Sequence, residues 1–437
     1  MADIRGFRGF RYDLGRVGTL SDVVAPPYDV VSPELQQKLY EASPFNAIRL
    51  ELTKDEPGDD ENENRYSRAA VAIREWLVAN VIRQDTARSL YIYEQEFEVE
   101  GTTYTRRGFF ARVRLEPFGK GQIYAHEQTM SGPKEDRLKL YRATGFNLSP
   151  IFGLYPDVEG EVARVLDPFT LKGPPLVAKD HLGVTNRLWT ITDSHTISTV
   201  IGLMGQKPVY IADGHHRYET GVKYLEERQS LGEVLDNEAA PNFTLMMLVG
   251  MTDPGLVILP THRLLGGFGP VISDTLQSVL AGHFDIIERC GTDAKAAWDY
   301  IQMDGSQTTL GFGTVSDGQW IVAKLRDPEG PTAMAELAPD QSDDWRGLGV
   351  SVLHRLVIDR LLREKIGGTP TCRYVHLLNE VAASVTARDC DIAVLVPPAT
   401  MGDVEQIAGH LEKMPPKSTY FYPKLLTGMV FNSLKRD

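Results

Sequence analysis

A mixed α/β fold of more than one domain is what this chain predicts, on three observations. Short β-rich runs alternate with stretches of helical periodicity along the whole length. Gly, Pro and Asp turn signals bound several of the strand candidates. And 437 residues, 42% of them hydrophobic, exceed what a single core usually absorbs. The expected organisation is an N-terminal α/β domain over 1–118, a middle domain over 119–265 and a C-terminal α/β domain over 266–437.

The first segment opens with a Pro-rich turn at Ala25-Pro26-Pro27 and a helix after Ser32-Pro33, where proline at the first helical position loses no helical hydrogen bond. Residues 47–52 read as a strand, and the acidic stretch 55–64 as an exposed loop. Tyr66, Ala69, Ala70, Ile73, Trp76 and Leu77 recur at helical spacing, and the run 90–115 folds back at Glu100-Gly101 as a hairpin. In the middle segment a helical stretch at 134–141 precedes strands at 148–155, 187–191 and 209–212. A further strand pair, 245–249 and 256–259, is joined through Thr252-Asp253-Pro254-Gly255. The cluster Gly266-Gly267-Phe268-Gly269-Pro270 lacks the flanking strand and helix of a nucleotide loop and reads as a linker. The last segment holds a hairpin over 309–325 turning at Asp317-Gly318, a helix through Val352, Leu356, Leu361 and Leu362, and a strand at 392–396. It ends in the aromatic, basic run 417–422. There is no internal repeat.

Charge narrows the function classes. Acidic residues number 59 against 46 basic, a formal charge of −13, and Lys/Arg runs do not exceed pairs such as the Lys435-Arg436 tail. That balance opposes binding to nucleic acid or an anionic membrane. Residues 1–8 lack the apolar core of a signal peptide, the longest apolar stretch, near 245–249, is too short to span a bilayer, and Cys290, Cys372 and Cys390 lie far apart. A reduced, cytoplasmic location is expected.

The densest chemistry lies in Tyr210-Ile211-Ala212-Asp213-Gly214-His215-His216-Arg217-Tyr218-Glu219. An apolar run stops at Asp213-Gly214 and gives way to a helical pattern with Tyr218, Val222 and Leu225 on one face. A strand turning directly into a helix presents unpaired amides at the positive end of the helix dipole, a setting for phosphate. Gly214 lets phosphate oxygens approach the backbone, the amides of His215 and His216 face them, Arg217 offers a fork of donors, and His216 adds one more. Asp213 suits Mg²⁺ or an acceptor hydroxyl. The plain alternative is a capped turn with solvated histidines.

A second motif is His126-Glu127-Gln128-Thr129. A carboxylate beside an imidazole serves as general base, binds metal, or supports the helix that follows. It is not a zinc helix, because Met130 stands where the second histidine would be. His126 and Thr129 beside Glu127 join Asn147, Ser149, His262 and Arg263, near strand ends of the same segment, as candidates to contact a small polar substrate. Loop hydrogen bonding explains these residues equally well. Tyr28 and Asp29 fit a rigid turn as well as a site. Lys417, Tyr420, Tyr422 and Lys424 fit a packing edge as well as a phosphate contact.

Asp-Gly-His-His-Arg at a strand-to-helix turn is similar to the signature of free L-serine kinases of the ParB/sulfiredoxin fold. More of the chain resembles the domain-of-unknown-function 1015 family. Its blocks stand here as Ala25-Pro26-Pro27-Tyr28-Asp29-Val30, His126-Glu127-Gln128-Thr129, the stretch 212–218, Leu259-Pro260-Thr261-His262-Arg263, and Lys417-Ser418-Thr419-Tyr420-Phe421-Tyr422-Pro423-Lys424. The kinase resemblance implies a central ParB/sulfiredoxin-like domain flanked by two further α/β domains. It also implies phosphoryl transfer to the hydroxyl of free L-serine, with Mg²⁺ and a donor that ATP, ADP or pyrophosphate would satisfy. In those kinases the Glu of a His-Glu pair takes the serine proton, a role that falls on Glu127 here; the residues themselves leave Glu127 and Asp213 both open as base. The other class is a nucleotide-binding ParB-like regulator without kinase activity, which the acidic balance and the lack of a helix-turn-helix signature disfavour. A sulfiredoxin-type repair enzyme needs a cysteine in the turn, where this chain has His215 and His216.

Overall fold

The hairpin expected over 90–115 forms the middle of the largest sheet. Its strands, Leu90–Val99 and Thr102–Arg114, turn at Glu100-Gly101, where both residues take positive φ. The structure is a computed structural model and describes residues 2–127, 131–233 and 236–435. Thr129, one of the substrate candidates, therefore lies outside the described residues, as do Gln128 and Met130.

Two compact units emerge where the sequence suggested three segments. The first comprises Met1–Ala125, Thr129–Leu256 and Pro423–Asp437, and the second His126–Gln128 and Val257–Tyr422. No boundary falls near residue 118, because strands from both sides of it share one sheet. In order across that sheet run Ile123–Ala125, Val209–Asp213, Ile151–Tyr155, Phe243–Gly250, Thr102–Arg114, Leu90–Val99, Thr185–Ile191 and Leu176–Lys179, with Ile4–Arg5 also paired to Thr102–Arg114. Parallel and antiparallel pairs mix. Ile123–Ala125 lies parallel to Val209–Asp213, with Ala125 opposite Ile211, whereas Ile151–Tyr155 runs antiparallel to it. Ile92, Phe109, Ile151, Ile211, Tyr218 and Leu248 belong to the buried cluster of this unit.

The second unit is built on a six-stranded sheet ordered Phe284–Gly291, Gln319–Leu325, Thr309–Thr314, Ile392–Leu395, His262–Gly266 and Thr371–Val375. Leu264, Trp298, Ile301, Trp320 and Leu395 pack in its core. The expected helix at its centre, Val352–Leu362, is wound as a π-helix. Among the described residues no helix is long and apolar enough to cross a membrane.

Three local expectations are corrected. Residues 47–52 are not a strand: Ile48–Glu51 is a short helix, because Asn46 Oδ1 accepts from the Ile48 amide at 2.9 Å while its Nδ2 donates to the carbonyls of Asp22 and Val24. That local bonding outweighs the β-propensity of the run. Val257–Leu259 does not pair back onto Phe243–Gly250 but onto Tyr420–Tyr422, since the chain passes into the second unit after Leu256. The glycine cluster at 266–270 is no linker either. Gly266 ends a strand inside the second unit, and the Asp391 carboxylate holds the amides of Phe268 and Gly269 at 2.9 and 3.1 Å.

Candidate active site

Strand Val209–Asp213 leads into helix His215–Ser230 through one residue, Gly214, as the sequence predicted. Gly214 sits at φ 91°, ψ 28°, the left-handed region that a side chain resists. An added Cβ would also meet the Arg217 guanidinium at 2.9 Å. The glycine thus serves two ends: it makes the sharp turn, and it leaves room for Arg217 to fold back over that turn. Just before it, the pairing with Ile151–Tyr155 slips, so that Ile211 faces Gly153 while Asp213 faces Phe152. Such a bulge re-aims the residues beside it. The helix is anchored by Tyr218, whose hydroxyl donates to the Glu116 carbonyl at 2.8 Å.

The Asp213 carboxylate carries two cations. Its Oδ2 accepts from Arg217 at 2.9 Å, and its Oδ1 lies 3.3 Å from the Lys424 ammonium. Burial pushes the Asp213 carboxyl up, but Lys424, Arg217 and His215 more than offset this and hold it well below the usual carboxylate range. Arg217 is itself buried, and its NH1 donates to the Pro150 carbonyl. Burial pulls its pKa down; Asp213, Asp29, Tyr28 and Glu51 reverse that, and the net shift is upward. The Pro-rich N-terminal block thereby supports the turn. Tyr28 heads a short turn, Tyr28–Val30, and lies 4.1 Å under the Arg137 guanidinium, which is in turn paired with buried Glu51 at 3.1 Å. Sequence reading left Tyr28 and Asp29 open between a rigid turn and a site and did not select Glu51 or Arg137. Glu51 between Leu50 and Leu52 was a weak signal, and Arg137, set among Lys134, Glu135, Asp136 and Lys139, gave none.

A resident Mg²⁺ does not fit here. Asp213 offers one carboxylate with both oxygens already in ion pairs, and a dication would have to displace Lys424 or Arg217. Among the described residues no group of three or more His, Cys, Asp or Glu side chains is placed to hold a metal ion.

The other candidates have contacts within their own units. Asn147 and Ser149 are buried in the first unit and tie down the C-terminal return: Asn147 Oδ1 accepts from the Leu245 amide and from Asn432, and Ser149 bonds Thr427. His126, Glu127, His262 and Arg263 belong to the second unit. His126 is fully buried, with Nε2 2.9 Å from Thr419 Oγ1. His262 Nδ1 accepts from the Val396 amide at 3.2 Å, its ring meets Trp298 edge-on, and burial pulls its pKa down to about 3. Arg263 donates to the carbonyls of Thr261 and Lys417. All three are buried. Glu127 accepts from the Lys417 amide, and Lys417 takes φ 59°.

No curated protein matches the chain. Among solved structures, a free serine kinase in complex with AMP is 13% identical, with a TM-score of 0.33, over 69% of this chain and 86% of that one. A conserved hypothetical protein from Pyrococcus furiosus is 13% identical, with a TM-score of 0.33, over 69% and 90%. C-terminally truncated SbnI from Staphylococcus aureus is 12% identical, with a TM-score of 0.35, over 74% and 87%. The family model described as protein of unknown function (DUF1015) matches residues 4–356, most of the sequence. The chain belongs to the DUF1015 family.

Proposed function

We propose that this protein is a small-molecule phosphotransferase that moves a phosphoryl group from ATP, ADP or pyrophosphate to the hydroxyl of free L-serine, giving O-phosphoserine. One observation carries the reading: an ionised carboxylate, Asp213, holds two cations, Arg217 and Lys424, at the start of a 16-residue helix. Phosphoryl transfer needs little covalent help from a protein and gains most of its acceleration from positioned charge. The amides at the helix start receive donor phosphate oxygens. Arg217 and Lys424 neutralise charge as the bond to the leaving oxygen breaks and the bond to the serine oxygen forms. Asp213 keeps both cations in place.

The serine proton must leave with the new bond. Asp213 is the poorer base, because its neighbours hold it ionised. We assign the proton to Glu127, the residue that the serine-kinase resemblance selects, and we assign Asp213 the electrostatic role. No step runs through a resident Mg²⁺; a magnesium ion carried in on the donor is part of the substrate.

Phosphorus NMR of the full chain with L-serine and each donor in turn, with and without Mg²⁺, tests this directly. A phosphoserine signal with one donor supports the reading. No phosphorylated product with any donor, or a product equally abundant with Arg217→Ala, overturns it. Glu127→Gln should lose turnover while retaining the donor, and a variant that kept full turnover would return the base role to Asp213.

A further inference from the structure

Lys424 reaches Asp213 from a segment far along the chain, on a long and flexible side chain. What fixes it is a buried polar network on the neighbouring strands. Gln95 and Arg106 are direct partners across the pair Leu90–Val99 and Thr102–Arg114, and neither is exposed to solvent. Arg106 NH2 donates to Gln95 Oε1 and to the Pro423 carbonyl. Gln95 Nε2 donates to the Lys424 carbonyl at 3.2 Å and to Asn186 Oδ1 at 3.0 Å. The same Asn186 oxygen accepts from Tyr93 at 2.6 Å. Two successive carbonyls, one on each side of the Lys424 amide, are thus gripped by side chains rooted in the sheet. Pro423 adds its own restriction, because its ring fixes φ.

The guanidinium of Arg106 also lies 4.7 Å over the ring of Phe152, the residue opposite Asp213 in the sheet. Burial brings its pKa down only to about 10, so it stays charged at neutral pH, and Asp213 is among the carboxylates that support that charge. Burying a guanidinium is costly, and apolar side chains would hold a loop more cheaply; fixed direction is what a buried polar network adds.

We propose that Arg106 and Gln95 are positioning residues for the phosphate turn, fixing the Pro423-Lys424 main chain so that the Lys424 ammonium stays on Asp213. The geometric claim stands on these contacts. Its consequence for donor binding rests on the reading of the turn given above.

Competitive acetylation of the full chain, read by mass spectrometry lysine by lysine, reports how firmly Lys424 is held. Gln95→Leu should raise the acetylation rate of Lys424 several-fold and leave the other lysines unchanged. Arg106→Lys keeps the charge but loses the fork, and should do the same; it replaces Gln95→Leu if that variant does not fold. Calorimetric titration with pyrophosphate supplies the second arm. Lys424→Met should weaken binding about tenfold, the loss of one charge-assisted contact. Adding Gln95→Leu to Lys424→Met should cost nothing more, since both changes remove the same contact. An unchanged Lys424 rate in a folded variant, a parallel rise at all lysines, or additive losses would overturn the positioning role. If the wild-type chain does not retain pyrophosphate, the phosphate reading fails, and the acetylation arm alone decides the geometry.

Discussion

Asp213 ends a short strand in one unit and His262 begins a short strand in the other; both side chains are largely withdrawn from water, and their charges are decided by opposite effects. At Asp213, burial disfavours the charge, but Lys424, Arg217 and His215 outweigh it and the carboxylate stays ionised. At His262, burial leads, Arg263 and His376 push the same way, and the ring is left neutral. Arg263, next along the chain, is likewise drawn down to about 10. The sequence presents both places as clusters of His and Arg near a strand end. One is arranged to keep charge against burial, the other to submerge it, and a turn that keeps charge is the better candidate for chemistry.

The largest expected effect strikes at the pairing. Arg217→Ala removes one cation from Asp213 and the donor from the Pro150 carbonyl. Serine phosphorylation should fall by about 100-fold or more, the scale of losing one positioned donor to transition-state charge. Stability should drop by about 3 kcal/mol, because a buried partner is left without its counter-charge. Kinetics and thermal melts measure both; a variant with wild-type turnover would put the turn on the same footing as the His262 strand.

Acid should separate the two units next. A histidine held neutral in the fold binds its proton more readily once unfolded. The stability that His262 contributes is therefore complete above about pH 6.5 and is lost as pH falls toward about 3. His354, drawn down to about 4, adds in the same direction. Asp213 responds in the same direction but in a lower window: its contribution is present above the ordinary carboxylate range and is lost only as pH falls below it. Between pH 6.5 and 4.5 each such histidine contributes a slope of up to about 1.4 kcal/mol per pH unit. Hydrogen exchange should accordingly show the six-stranded sheet loosening before the nine-stranded one. Protection lost equally from both sheets would break the comparison.

Much of this was legible beforehand where the signal is local. The hairpin at Glu100-Gly101, the helix bearing Ile73 and Trp76, and the strand-glycine-helix turn at Gly214 all follow from short-range periodicity and turn chemistry. Partners brought in from far along the chain were not legible. Lys424 was legible as a candidate phosphate contact but not as the partner of Asp213, and nothing near Lys424 announces Gln95 or Arg106, because those contacts exist only once the sheet has formed. Asn147 and Ser149 show the same limit: a polar residue at a strand end looks alike in sequence whether or not it bonds a distant segment, as these bond Asn432 and Thr427. The helix Ile48–Glu51 was missed because Asn46 reverses the preference of an apolar run.

A milder test addresses the backbone of the turn. Gly214→Ala forces a side chain into the left-handed region and against Arg217, at a cost of about 1–2 kcal/mol. The same variant should weaken pyrophosphate binding less than Arg217→Ala does, since the cations remain. Calorimetric titration and melts of the two variants give the ranking, and a reversed order would mean that backbone shape outweighs charge at the turn.

The smallest effect is expected at Lys417, and it sharpens the contrast from the side of the second unit. Lys417 holds φ 59° with its side chain exposed; its amide donates to Glu127 and its carbonyl accepts from Arg263. The main chain carries these contacts, so the ammonium should be dispensable. Lys417→Gly suits the left-handed conformation and should be as stable as Lys417→Ala or more so by up to about 1 kcal/mol, with turnover little changed in both. Lys417→Pro is the discriminating variant: it lacks the N–H and fixes φ near −65°, so Glu127 loses that donor. Its turnover should fall as far as that of Glu127→Gln. If Lys417→Gly and Lys417→Ala lose turnover as well, the ammonium itself takes part, and the main-chain account of Lys417 fails.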